Sequence, residues 1–140
     1  MKRAICILFV AAGLIAASTA AAPADTTSSS SVRARSSEAV AQAAIDDIQT
    51  WWASTLPDVY GKRYEAIPAE RLFPYSSADP PPACGTDGRV PYEEIAGNAF
   101  YCPADDFVAW DAEQLLPRLQ QRYGDFAVSL VLAHEWGHVA

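Results

Sequence analysis

The sequence predicts an α+β domain from three observations. Apolar residues recur at three- and four-residue steps from Ser37 to about Leu56, which is the periodicity of a helix with one buried face. Two short segments rich in aromatic residues, 98–102 and 106–111, have the composition of strands. An apolar run at 126–133 predicts a buried helix near the end of the 140 residues. A chain of this length holds one modest domain at most.

The first 20 residues have the layout of a secretory signal peptide. Met1-Lys2-Arg3 is a basic start, residues 4–17 are uninterrupted apolar, and Ser18-Thr19-Ala20 offers small residues for cleavage. The apolar run is shorter than the roughly 20 residues that a spanning helix needs. We therefore expect cleavage and a secreted, extracellular or cell-envelope protein. The alternative is an uncleaved segment that anchors the chain in a membrane.

The net charge of the remaining chain argues against some classes of binding partner. Removal of residues 1–20 leaves eight basic and 17 acidic residues, a net charge of −9. Such a surface repels nucleic acid and anionic lipid, so we expect neither as a partner.

Two cysteines also remain after cleavage, Cys84 and Cys102. An even number of cysteines in an exported chain predicts a disulfide, and the loop closed here would contribute about 3 kcal/mol to stability. The alternative is a pair of metal ligands, but no C-x-x-C spacing supports it.

The first elements are a linker and a long helix. Residues 21–36 are rich in Ala, Ser and Thr without apolar periodicity, which predicts a disordered linker. Ser37 is the predicted N-cap of the first helix, and Pro57 is expected to end it. Trp51-Trp52 lies in the apolar stripe of this helix and is predicted to be core, with a sugar-stacking surface as the alternative.

The middle of the chain predicts loops and two strands. Residues 57–97 contain many Pro and Gly residues, so we expect a long loop region with a short strand at Tyr92–Ile95. The two strands at 98–102 and 106–111 are joined by a turn at Pro103-Ala104-Asp105.

Two helices follow these strands. The first is predicted from Ala112 to Tyr123, with Pro117 as a point where it begins or bends. Gly124 is a natural C-cap for it, and Asp125 is the predicted N-cap of the next helix.

That last helix carries an H-E-x-x-H pentapeptide, His134-Glu135-Trp136-Gly137-His138. Positions i and i+4 of a helix lie about 40° apart and one turn along, so both imidazoles can bind one metal ion. Neutral imidazoles suit a tetrahedral Zn²⁺, and Glu135 is the candidate base that takes a proton from water beside the metal. Trp136 is expected to face the core. Gly137 would let another backbone approach the metal face.

The third protein ligand is not identified by the spacing. Asp105, Asp106, Asp111 and Asp125 lie upstream, but carboxylates near strand ends are usually solvated or capping, so we assign none to the metal. Two imidazoles alone should hold zinc weakly.

Three blocks of sequence carry a resemblance to a known family: Phe100–Asp106 (FYCPADD), Tyr123–Ala127 (YGDFA) and Val131–His138 (VLAHEWGH). With them, the chain resembles the putative neutral zinc metallopeptidase family of bacteria from about Trp51 onward. The resemblance implies a zincin-like domain with His134 and His138 as zinc ligands and Glu135 as the catalytic base. It also implies that the strand near Phe107–Trp110 borders the substrate cleft.

In that family a further helix after the motif brings an acidic third ligand, expected to be Glu. We therefore expect residues 37–140 to be a partial zincin-like domain, truncated after the motif helix, with apolar surface left exposed.

The predicted function is a secreted bacterial zinc metallopeptidase that hydrolyses peptide bonds in a peptide or protein substrate. The 140-residue chain is expected to be an incomplete, weakly active or inactive fragment. The alternative is a non-catalytic exported binding protein, contacting a partner through segment 92–111, or a degenerate pseudopeptidase. The sequence identifies neither the substrate nor the oligomeric state.

Overall fold

Helices and short strands alternate along residues 35–86 and 88–140, which this computed structural model describes and which lie in one unit, Arg33–Ala140. This mixture is the predicted α+β class. The elements are α1 (Ser37–Tyr60), β1 (Leu72–Tyr75), α2 (Tyr92–Ile95), β2 (Ala99–Cys102), β3 (Phe107–Asp111), α3 (Leu115–Tyr123) and α4 (Asp125–Val139), with a 3₁₀ turn at Ala69–Arg71 before β1. The predicted signal peptide, 1–20, and residues 21–34 of the predicted linker lie outside the described residues.

Helix α1 differs from its prediction at both ends. Its N-cap is Ser36 and not Ser37, because the Ser36 hydroxyl accepts the backbone N–H of Ala39 at 3.2 Å. The helix also continues through Pro57 to Tyr60. Proline removes one backbone donor, but the turn after it is closed by Gly61, which lies at φ 65° and donates its N–H to the Pro57 carbonyl.

The tryptophan pair of α1 is divided between core and surface. Trp52 packs against the main core cluster, as predicted. Trp51 is 54% exposed, so its assignment to the core is wrong. The two rings meet edge to face with centroids 4.8 Å apart, which leaves Trp51 as the outer member of the pair.

The sheet has the strand order β1-β3-β2. Strand β3 runs parallel to β1 and antiparallel to β2, and all five of its residues are buried. The expectation that strand 107–110 borders a cleft is therefore wrong, because a central strand has no free edge. The edge strand next to α4 is β2.

Two elements in the proline-rich region differ from the sequence prediction. Strand β1 is absent from that prediction, and it contains Pro74, which an edge strand tolerates because the missing N–H would face away from the sheet. Tyr92–Ile95, predicted as a strand, is a single helical turn that begins after Pro91. Four residues are too few for periodicity to separate the two.

Helices α1, α3 and α4 cover one face of the sheet, and aromatic side chains cover the other. The aromatic face contains Tyr75, Tyr92 and Phe107, and the rings of Tyr75 and Tyr92 meet edge to face. Cys84 and Cys102 lie at this face with their Cα atoms 5.7 Å apart and their sulfurs at bonding distance, which fits the predicted disulfide.

A buried carboxylate fastens the end of β3 to its neighbours. Asp111 has no exposed surface, and it accepts the backbone N–H groups of Gly97 at 2.6 Å and of Glu113 and Gln114 at 2.8 Å. The Tyr92 hydroxyl donates to it at 3.2 Å. These bonds connect the segment after α2, the end of β3 and the approach to α3.

Gly124 separates α3 from α4. It lies at φ 82° and donates its N–H to Gln120, so the predicted C-cap is correct. The predicted N-cap Asp125 is wrong, because Gly124 also occupies the N-cap of α4 and Asp125 is the first helical residue. Pro117 lies in the first turn of α3, where a missing N–H costs little.

Helix α4 is apolar on more than its core side. Phe126 is 74% exposed and Leu130 is 58% exposed. They line an apolar groove of about 920 Å³ between α3 and α4. None of the helices in the described residues is both long and apolar enough to cross a membrane.

Candidate active site

The H-E-x-x-H pentapeptide lies in the last two turns of α4. Because a helix advances about 100° per residue, its members face different environments. His134 and His138 are exposed, Glu135 is 7% exposed and Trp136 is fully buried. The predicted core position of Trp136 is therefore confirmed, and the two imidazoles share the open side of the helix.

The spacing of the imidazoles suits a tetrahedral metal. Their ring centres are 5.1 Å apart, and the planes meet at 88°. With Zn–N bonds of about 2.1 Å, two imidazoles on one tetrahedral zinc ion have ring centres about 5 Å apart. The donor type and the separation therefore fit zinc, with two protein ligands accounted for.

Trp136 fixes the rotational orientation of α4 about its axis. Its indole N–H donates to the Tyr64 hydroxyl at 2.9 Å, and that hydroxyl donates to the Gln49 side chain of α1 at 3.2 Å. Burial raises the pKa of Tyr64, so its hydroxyl stays protonated and can donate. This chain of bonds ties the middle of the pentapeptide to α1.

Glu135 faces the edge of the sheet. Burial raises the pKa of its carboxyl, while the imidazoles of His134 and His138 and the backbone N–H of Tyr101 oppose that rise. Tyr101 belongs to β2, so the candidate base lies beside the edge strand. A carboxylate beside the imidazoles and partly shielded from water is suited to accept a proton.

An open pocket of about 370 Å³ adjoins these groups. Its lining comes from α4, from β2 and from the turn after β2. The lining residues are Phe100, Tyr101, Pro103, Glu135 and His138. This pocket is where a substrate could meet the candidate base.

Within residues 35–86 and 88–140, no group of three His, Cys, Asp or Glu side chains could hold a metal ion. The four aspartates considered from the sequence bind other partners. Asp111 is bonded as described above, and Asp125 accepts Arg35 and Gln120. Asp106 accepts Arg71 and the Tyr101 hydroxyl, and Asp105 accepts the Gly85 N–H.

Gly137 does not have the packing role expected of it in the described part of the chain. A Cβ atom built there would meet nothing within 4 Å, so no other backbone comes close at that position.

Sequence reasoning missed Tyr64 and Tyr101. Both lie far from the pentapeptide in sequence: Tyr64 bonds to Trp136, and Tyr101 lines the pocket beside Glu135. No local pattern marks such residues, because their contacts with α4 form only in the folded chain.

Comparison with known proteins agrees with the resemblance seen in the sequence. A sequence model of the family described as putative neutral zinc metallopeptidase matches residues 7–140. Neither the curated proteins nor the solved structures that were compared gave a match.

Proposed function

The chain belongs to the putative neutral zinc metallopeptidase family, and on that basis we propose that it is an exported zinc-dependent peptidase acting on peptides or proteins. The observation that carries the proposal is the pair of exposed imidazoles with centres 5.1 Å apart, with Glu135 buried beside them. Export is proposed from the basic and apolar start of the chain, and the disulfide from the position of Cys84 and Cys102.

His134 and His138 would hold the zinc ion, which supplies a lowered water pKa and polarisation of the scissile carbonyl when bound. Glu135 takes the proton from water and passes it to the leaving amine. The backbone of Tyr101 lies beside the Glu135 carboxylate, and the buried Trp136 keeps the helix turned so that both imidazoles face the open side.

The remaining ligand positions fall to water or to a donor outside the described residues, because those residues contain no third protein ligand. Zinc held by the two imidazoles and water alone is expected to bind weakly. The proposed activity is tested in zinc-supplemented buffer, where mass action offsets low affinity.

A degenerate pseudopeptidase is the second candidate, and the absence of a third ligand from the described residues is what favours it. A binding protein that uses segment 92–111 would depend on the residues of that segment outside β3. Strand β3 lies inside that segment and is wholly buried, so its side chains are not available to a partner.

The test combines zinc titration by calorimetry with hydrolysis of a quenched fluorescent protein substrate. Glu135→Gln should keep zinc uptake and lose hydrolysis by at least about a hundredfold, the usual contribution of a general base. Glu94→Gln, at an exposed carboxylate of α2, is the matched control and should change neither.

His134→Ala should abolish zinc uptake. Hydrolysis that survives Glu135→Gln contradicts the catalytic assignment. Zinc uptake without hydrolysis in the unaltered chain favours the pseudopeptidase, and the absence of any zinc uptake contradicts the zinc peptidase.

A further inference from the structure

We propose that the pocket formed by Phe100, Tyr101 and Pro103 beside Glu135 binds a large apolar side chain of the substrate, next to the bond that is cut. The inference rests on the proposed peptidase function and adds its specificity. The pocket volume of about 370 Å³ is within the range of small-ligand sites, roughly 300–1,000 Å³.

Position is the first reason. The pocket contains both Glu135 and His138, so a peptide whose scissile bond reaches these groups must place a neighbouring side chain within it. The three other lining residues are consecutive or nearly so, at the end of β2 and the start of its turn.

The second reason is that the walls are held in place. The Phe100 ring packs edge to face against Phe107 with centroids 5.9 Å apart and contacts Tyr75 on the aromatic face of the sheet, so its packing holds this part of the edge strand β2 in place. The Tyr101 hydroxyl is fixed by Asp106 at 3.0 Å. A preformed apolar wall binds an apolar group without losing further conformational entropy of its own side chains.

Charge is the third reason. Apart from Glu135 and His138, none of the pocket's lining residues is a charged one. The carboxylates of the nearby turn are engaged, Asp106 with Arg71 at 2.7 Å and Asp105 with the Gly85 N–H at 2.6 Å. The wall therefore offers neither a cation nor a free carboxylate to pair with a charged substrate side chain, so the pocket favours an uncharged one.

The experiment uses the full chain with saturating zinc and peptides that differ at one position beside the scissile bond, carrying Phe, Leu, Ala, Arg or Glu. Phe and Leu peptides should be cut at least about tenfold faster than the Ala peptide, measured as kcat/KM, and faster than the Arg and Glu peptides. Binding of the same peptides to Glu135→Gln, followed by fluorescence anisotropy, should show the same order.

Pro103→Lys places a cation at an exposed residue of the wall and should raise the relative rate for the Glu peptide about two- to fivefold, the scale of an exposed ion pair. Ala78→Lys is its control, since Ala78 follows the opposite end of the sheet from Pro103. Tyr101→Ala should reduce the preference for Phe, whereas Tyr123→Ala, at an exposed aromatic residue of α3, should leave it unchanged.

The outcomes separate the two proposals. Cleavage without an apolar preference, or with a preference for Arg, overturns the inference and leaves the peptidase intact. If no peptide is cleaved, the peptidase proposal fails, and the anisotropy order alone decides whether the pocket prefers apolar side chains.

Discussion

Replacement of Asp111 by alanine should be among the most destabilising single changes in this domain. The carboxylate is fully buried and accepts four hydrogen bonds, three from the backbone N–H groups of Gly97, Glu113 and Gln114 and one from the Tyr92 hydroxyl. Alanine leaves the three N–H groups without their acceptor. At about 1 kcal/mol or more for each donor left unsatisfied, the expected loss is about 3 kcal/mol.

Asparagine at the same position separates hydrogen bonding from side-chain volume. Its oxygen can still accept from Glu113 and Gln114, which share one carboxylate oxygen of Asp111. Its amide nitrogen then faces the Gly97 N–H, a donor against a donor, while the Tyr92 hydroxyl can rotate to accept. We therefore expect Asp111→Asn to cost about 1–2 kcal/mol, less than alanine.

Urea unfolding followed by tryptophan fluorescence measures both variants against Asp47→Asn, a control at an exposed position of α1. A loss of about 3 kcal/mol is a large part of the roughly 5–15 kcal/mol that stabilises a domain, and it corresponds to a fall in Tm of roughly 15 °C. The reasoning is refuted if alanine costs less than about 1 kcal/mol, or if asparagine costs as much as alanine.

Two further predictions concern α4. Gly137→Ala should stabilise the domain by up to about 1 kcal/mol, because the added methyl group meets open space and alanine favours the helix. Thermal unfolding measures this change. A fall in Tm would show that another segment does approach Gly137. The Asp125 pKa is lowered by the hydrogen bond from Gln120 and by the Arg35 guanidinium, so its contribution to stability is present above the unfolded-state pKa of about 4 and is lost as the pH falls through the lower folded-state value. Unfolding free energies measured from about pH 6 to about pH 2 should therefore fall less steeply in Asp125→Asn, and identical pH profiles would contradict the shift.

The elements that could be predicted are those whose signal is local. The stripe in α1 and the apolar run in α4 repeat over many residues, and Gly124 marks the boundary between α3 and α4 by its own conformational freedom. These features depend on residues within a turn or two of each other. The spacing of His134 and His138 is of the same kind, so one helical turn is enough to predict their shared side.

The errors lie where distant contacts decide. Strand β1 exists because Leu72–Tyr75 pairs with β3, more than 30 residues later, and its own proline argues against a strand. Tyr92, in the helical turn that the sequence predicts as a short strand, packs against Tyr75 and bonds to Asp111, both of which lie outside its own four-residue segment. The central position of β3 likewise follows from its pairing with both β1 and β2. The sequence of its own five residues does not predict that position.

The middle of the pentapeptide shows how packing and chemistry depend on each other. In α4 the buried residues Val128, Leu132, Glu135 and Trp136 fall within an arc of about 100°, and the two histidines begin about 60° beyond it. Trp136 therefore sets the rotation of the helix, because its fully buried indole and its bond to Tyr64 permit only one orientation. That orientation places Glu135 at the boundary of the core, where β2 can reach it, and both imidazoles outside. A polar residue at position 136 would preserve the H-E-x-x-H motif but would remove the packing contact that orients its histidines.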